Sequence, residues 1–252
     1  MKNTISMIFF LVLYGCTNQL EIDKFKVDKA FNKTNLPFAV LGVSLDKNDP
    51  VFYSYGDSNP DAIFEIASMT KAITSTAVMQ LVEKGKIDLD LPIEEYLPEI
   101  NQIKILNKDL SRSERDTPIT MRHLLTHTSG FVYFFNSLRV MEDLGMSPGD
   151  WPQPEALSQD EYDWGFNAPQ PRQIFEAGER WHYGRSLGIA GRVVEKVSGL
   201  DLDTYFKENI FEPLGMDRSG YNLSQSVRND LMPMSMRDVS SGTLSAMPNM
   251  RP

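Results

Sequence analysis

A chain of 252 residues with 41% hydrophobic and 10% aromatic content can bury a core in one large domain or two small ones. Its charged fraction of 23% is that of an ordinary globular protein and argues against global disorder. A formal net charge of −9 argues against a nucleic-acid binder, because affinity for a phosphate backbone comes from lysine and arginine.

Met1-Lys2-Asn3 carries positive charge, and Ile5 to Tyr14 is almost wholly apolar. That run is too short to span a bilayer as a mature helix, and residues 1–15 read as a signal peptide. It ends at Leu13-Tyr14-Gly15-Cys16, which looks like a bacterial lipobox, so Cys16 is the expected lipidation site. A plain signal peptide with an incidental Cys16 is the alternative. Cys16 is the sole cysteine, which excludes an internal disulfide. Export is expected, with a lipid anchor on the periplasmic or cell-surface side of a membrane.

Residues 16–35 form a polar tether leading into the main body at 36–252. Phe38–Leu45 and Val51–Tyr55 are rich in strand formers, and Asp46-Lys47-Asn48-Asp49-Pro50 between them is turn chemistry, so residues 36–66 hold a hairpin. Ile73, Ala77 and Leu81, spaced four apart, predict a helix over 68–84 that stops at Gly85. Thr120 is a good N-cap for a short helix through Leu124 and Leu125, ending near Gly130. Residues 145–171, with Pro148, Pro152, Pro154, Pro169 and Pro171, read as loop. Ile189, Val193 and Val197 predict a second long helix over 183–198, with Gly199 past its end; a further helix is expected over 203–211. These helices make 67–222 the mostly helical part, and from 223 the chain turns polar.

Ser68-Met69-Thr70-Lys71 is an S-x-x-K motif. On a helix, residues three apart share a face, so the amine can sit by the hydroxyl. A serine hydroxyl is a poor nucleophile until a neighbouring base takes its proton. The spelling alone decides little, because Ser44-Leu45-Asp46-Lys47 is also S-x-x-K but runs from a strand into a turn. The bland reading of Ser68 is a helix N-cap. His123 and His127 have the spacing of a zinc pair but lack the intervening glutamate of a zincin, so no metal is expected.

Phe64-Glu65-Ile66-Ala67-Ser68-Met69-Thr70-Lys71, then His123-Leu124-Leu125-Thr126-His127-Thr128-Ser129-Gly130, Gly178-Glu179-Arg180-Trp181-His182-Tyr183 and Pro213-Leu214-Gly215-Met216 follow one another in order. Together they resemble the serine β-lactamase and penicillin-binding superfamily in its class C-like branch. That branch includes carboxylesterases of β-lactamase fold and D-alanyl-D-alanine carboxypeptidases. The resemblance implies an α/β fold of the α+β type, an antiparallel sheet flanked by helices with a mostly helical domain. It implies Ser68 as nucleophile, Lys71 as its amine partner and Tyr183 as proton shuttle, with the choice of base between Lys71 and Tyr183 left open. No cofactor is implied.

Where β-lactamases of this group have Y-x-N, this chain has Tyr183-Gly184-Arg185, which favours esters over β-lactams. Arg185, Trp181 and Trp164 are candidate substrate-binding residues. The family's K-T-G, or its H-x-G and W-x-G variants, is not found; His182-Tyr183-Gly184 matches by spelling only. The tail from Ser240 to Met250 resembles the segment that precedes that motif, so the C-terminal strands of the sheet are expected to be missing. The leading expectation is a serine hydrolase acting through an acyl-enzyme on a small ester or amide, most naturally an esterase. A β-lactamase or D-Ala-D-Ala carboxypeptidase is the second enzymatic option. The non-enzymatic rival is an inactive lipoprotein serving as a binding or structural module. A partner supplying the missing strands is a further option.

Overall fold

The computed structural model describes residues 24–34, 36–44, 50–58, 61–147, 171–238 and 240–246. Cys16, Trp151, Trp164 and the turn residues 45–49 lie outside them. No helix among the described residues is long and apolar enough to cross a membrane. Contacts divide the chain into two compact units.

The smaller unit comprises residues up to Ala62 together with Arg237–Leu244. It holds helix α1 (Lys24–Phe31) and the antiparallel pair β1 (Phe38–Val43) and β2 (Val51–Gly56), in register from Phe38 opposite Gly56 to Val43 opposite Val51. Gly56 has φ 63°, and a Cβ there would fall 2.0 Å from the Pro37 carbonyl oxygen, which explains a glycine at the end of the hairpin.

The larger unit is built on helices. A 3₁₀ turn at Ala67–Met69 leads into α2 (Thr70–Glu83), followed by α3 (Met121–Leu125) and α4 (Leu138–Asp143). After them come α5 (Ser186–Ser198), α6 (Leu202–Phe206) and α7 (Gln225–Arg228). Thr74, Ala77, Val78 and Leu81 form the buried face of α2 at helical spacing. Ala77, Val78 and Leu81 join Met121 and Leu124 of α3, Ile189, Ala190, Val193 and Val194 of α5, and Tyr205 and Phe206 in one core. Gly191 keeps this packing close, since a Cβ there would meet Leu202 Cδ1 at 2.9 Å.

Four two-residue strands, β3 (Ile105–Leu106), β4 (Arg112–Ser113), β5 (Phe131–Val132) and β6 (Arg172–Gln173), form a second small sheet in the order β4-β3-β6-β5. Its pairs are antiparallel except β3 with β6. Nothing in the sequence reading anticipated this sheet, because two-residue strands carry no alternation to detect.

The helix boundaries differ from expectation in informative ways. Ser68 lies in the 3₁₀ turn, because Met69 N–H bonds the Ile66 carbonyl and Ala67 has a positive φ of 43° that breaks the chain before the helix. Tyr183 lies three residues ahead of α5, whose ladder begins at the Arg185 carbonyl, the acceptor for Gly188 and Ile189 N–H. The helix expected over 203–211 turns α-helical at Leu202–Phe206 and widens into a π turn at Lys207–Phe211. Pro213 explains the widening: it has no N–H for the Asn209 carbonyl, and Gln80 Nε2 donates to that oxygen at 2.9 Å instead. Thr120 caps α3 as expected, accepting from His123 N–H, but the helix stops at Leu125.

Phe206 is 1% exposed at the centre of the helical core. Phe206→Ala should destabilise the fold by about 3–5 kcal/mol, read as a lower midpoint of chemical denaturation with an unchanged slope.

Candidate active site

The site assembles from three loops that meet over the start of α2. The first is the 3₁₀ turn carrying Ser68, which is exposed at its apex. Ala67 just before it holds the left-handed φ that places Ser68 at this bend; such a conformation costs a non-glycine residue about 1–2 kcal/mol. One turn on, the Lys71 ammonium donates to Ser68 Oγ at 3.2 Å.

The second loop follows β5. Its Tyr133 accepts a hydrogen bond from Lys71 Nζ at 3.2 Å, and the amine also lies 5.6 Å from the centre of that ring. Tyr133 stacks on Phe135, centroids 4.9 Å apart. Tyr133 escaped the sequence reading. It stands in a run of aromatics, Tyr133-Phe134-Phe135, and only its contact with Lys71 in space separates it from its neighbours.

The third loop, 178–185, presents Tyr183, whose ring is 5.0 Å below Lys71 Nζ and 5.9 Å from the ring of Tyr133. Gly184 makes this approach possible. A Cβ at that position would sit 2.1 Å from the Phe131 carbonyl oxygen and 2.6 Å from Val132 Cα. The glycine of the H-x-G spelling therefore serves close backbone contact. Asn136 Nδ2 donates to the Tyr183 carbonyl at 2.8 Å, and a buried Ser129–Ser186 hydroxyl pair at 2.8 Å ties the loops behind it.

The electrostatics follow from this crowding. Burial alone would lower the Lys71 pKa, but hydrogen bonding and charge attraction from the phenols of Tyr183 and Tyr133 outweigh it and hold the amine above its usual range. Burial works to raise the Tyr183 pKa, and hydrogen bonds from Ser68 and Lys71 with the lysine charge reverse the sign, so the phenol lies below its usual range. His127 is pushed down by burial and then by the Lys71 charge, which keeps it neutral.

Of the residues expected to bind substrate, Trp181 is 64% exposed and lies alongside the Tyr183 ring at 6.5 Å. Arg185 is half-buried at the N-cap of α5, and Trp164 is outside the described residues. The two histidines face different backbone groups: His123 Nδ1 is 3.2 Å from Thr120 N, and His127 Nδ1 accepts from Gly184 N at 3.4 Å. Among the described residues no group of three or more His, Cys, Asp or Glu side chains could hold a metal ion.

A helical body, a serine–lysine pair and a facing tyrosine define the class of protein, and sequence and structure comparisons agree. The model of the Beta-lactamase family matches residues 29–251, and the chain belongs to that family. Acyltransferase calJ of Penicillium decumbens is 40% identical over 163 residues, 62% of this chain and 37% of that protein. Esterase EstB of Burkholderia gladioli is 32% identical over 167 residues, 64% of this chain and 39% of that protein. Among solved structures, a mutant of Simvastatin Synthase (LOVD) from Aspergillus terreus superposes with a TM-score of 0.72 at 25% identity, covering 90% of this chain and 61% of the other. The matched segments span about two fifths of the length of these curated relatives.

Gly184→Ala tests how the loops meet. The added methyl must push Tyr183 off β5, which should cost about 1–3 kcal/mol of stability. A crystal structure or a denaturation curve of the variant reads the effect.

Proposed function

We propose that this chain carries the nucleophile of a serine hydrolase or acyltransferase that works through an acyl-enzyme on Ser68, with small esters as substrates. The observation that carries the reading is the single amine of Lys71 within 3.2 Å of both Ser68 Oγ and the Tyr133 hydroxyl while lying over the Tyr183 ring. An acyltransferase and an esterase among the relatives support acyl transfer as the chemistry.

In this mechanism Lys71 stays an ammonium and Tyr183 is the base. The Tyr183 oxygen takes the Ser68 proton as Oγ forms its bond to the ester carbonyl carbon, and returns the proton to the alkoxide when the ester C–O bond breaks. Water or an alcohol then attacks the acyl-enzyme by the same route in reverse, giving hydrolysis or transfer. The positive end of α2 lies beside the reacting atoms and favours the negative charge that develops there. We further propose that the protein is exported and anchored through a lipid on Cys16. In a bacterial host, Cys16→Ser should move it from the membrane fraction to the soluble fraction; continued membrane association would sink that part.

Intact mass after exposure to a fluorophosphonate tests the reading. A single adduct is expected, absent in Ser68→Ala and formed about 10²- to 10⁴-fold more slowly in Tyr183→Phe. An adduct that survives Ser68→Ala, or a folded wild type that takes none, would favour a binding or structural module. The labelling rate should climb with pH as Tyr183 ionises, with a midpoint below the usual tyrosine value of 10 and no separate lysine step beneath it.

A further inference from the structure

One residue of the His127-Thr128-Ser129-Gly130 run grips the tyrosine loop on both sides. His127 accepts through its carbonyl from His182 N–H at 2.9 Å and through Nδ1 from Gly184 N–H at 3.4 Å. Those are the two amides flanking Tyr183. The imidazole also packs on the Tyr183 ring, centroids 4.8 Å apart, and meets Trp181 edge-on at 6.4 Å. His127 adopts a left-handed backbone, φ 57°, a conformation that persists in a non-glycine residue only where its surroundings fix it.

We infer that His127 is a positioning residue for the Tyr183 phenol, holding the backbone before and after it and the ring between. The inference rests on the role proposed for Tyr183. Contacts on the amides either side leave residue 183 little freedom to pivot, and ring packing sets the phenol against Lys71. The ring must be neutral to accept at Nδ1, with its proton on Nε2. Burial and the Lys71 charge, the cation that faces it from α2, favour that form. His123, four residues earlier, caps α3 instead.

The test reads the phenol itself. Ultraviolet absorbance of tyrosinate is followed against pH in the full chain, and subtracting the Tyr183→Phe curve isolates residue 183. His127→Gly removes the ring and accommodates the left-handed backbone. His127→Asn restores an acceptor near the Nδ1 position in a residue that tolerates that conformation. The wild-type phenol should titrate below 10, His127→Gly should move it towards 10, and His127→Asn should return it part of the way. Ser68 labelling at neutral pH should fall roughly tenfold in the glycine variant and recover in the asparagine variant. If His127→Gly does not melt cooperatively, His127→Ser, too short to reach the Gly184 amide, takes its place.

An unmoved Tyr183 titration in a folded His127 variant overturns the inference, as does a wild-type phenol that titrates at its ordinary value. A labelled wild type with that unmoved phenol ends the positioning role and keeps the hydrolase. An unlabelled wild type whose phenol still shifts in His127→Gly ends the hydrolase and keeps the positioning role.

Discussion

The close passage of the 182–184 segment across β5 is the contact on which the rest of the site depends. Gly184 lies where any side chain would strike the Phe131 carbonyl oxygen, and because the two backbones can touch, Tyr133 and Tyr183 emerge from neighbouring loops onto the same lysine. The core beneath supplies the rigidity. Helices α2, α3 and α5 pack through Ala77, Val78, Leu124, Ala190 and Val194 into one cluster, so the Ser68 turn, the His127 strip and the start of α5 are fixed to a common body. Loops that present chemistry from a rigid scaffold are held to the precision of that scaffold.

The charge arrangement has a direction as well as a geometry. A half-buried lysine alone would lose its proton more easily. Surrounding this one with two phenol oxygens reverses the effect, so the same contacts that keep Lys71 cationic make Tyr183 more acidic. One interaction thus sets both groups. In the mechanism proposed above it gives the base role to the phenol and the electrostatic role to the amine, a choice that sequence alone leaves open, because it depends on a second tyrosine 62 residues away from the lysine.

How far the sequence reveals this molecule depends on the scale of the signal. Long periodic helices were legible: Ile73, Ala77 and Leu81 marked α2, and Ile189 and Val193 marked α5. So was the β1–β2 hairpin, through its strand formers and turn. Ordered motifs revealed the family where the isolated S-x-x-K could not. The start of α2 was misplaced because a local 3₁₀ bond and the left-handed Ala67 precede it, and the start of α5 because Asn136 and His127 bond the backbone around Tyr183, which no local propensity records. The two-residue strands are likewise products of packing. Tyr133 could not be separated from the adjoining phenylalanines without knowing where Lys71 lies.

The central claim is that Lys71 remains an ammonium while Tyr183 supplies the base. A nuclear magnetic resonance titration of lysine labelled at the side-chain nitrogen, with the Lys71 signal assigned by its loss in Lys71→Arg, tests this most directly. The account predicts that Lys71 keeps its charged-form shift through pH 9 and titrates above the usual lysine value of 10.5. A Lys71 signal that loses its proton near neutral pH would contradict it and make the amine the base.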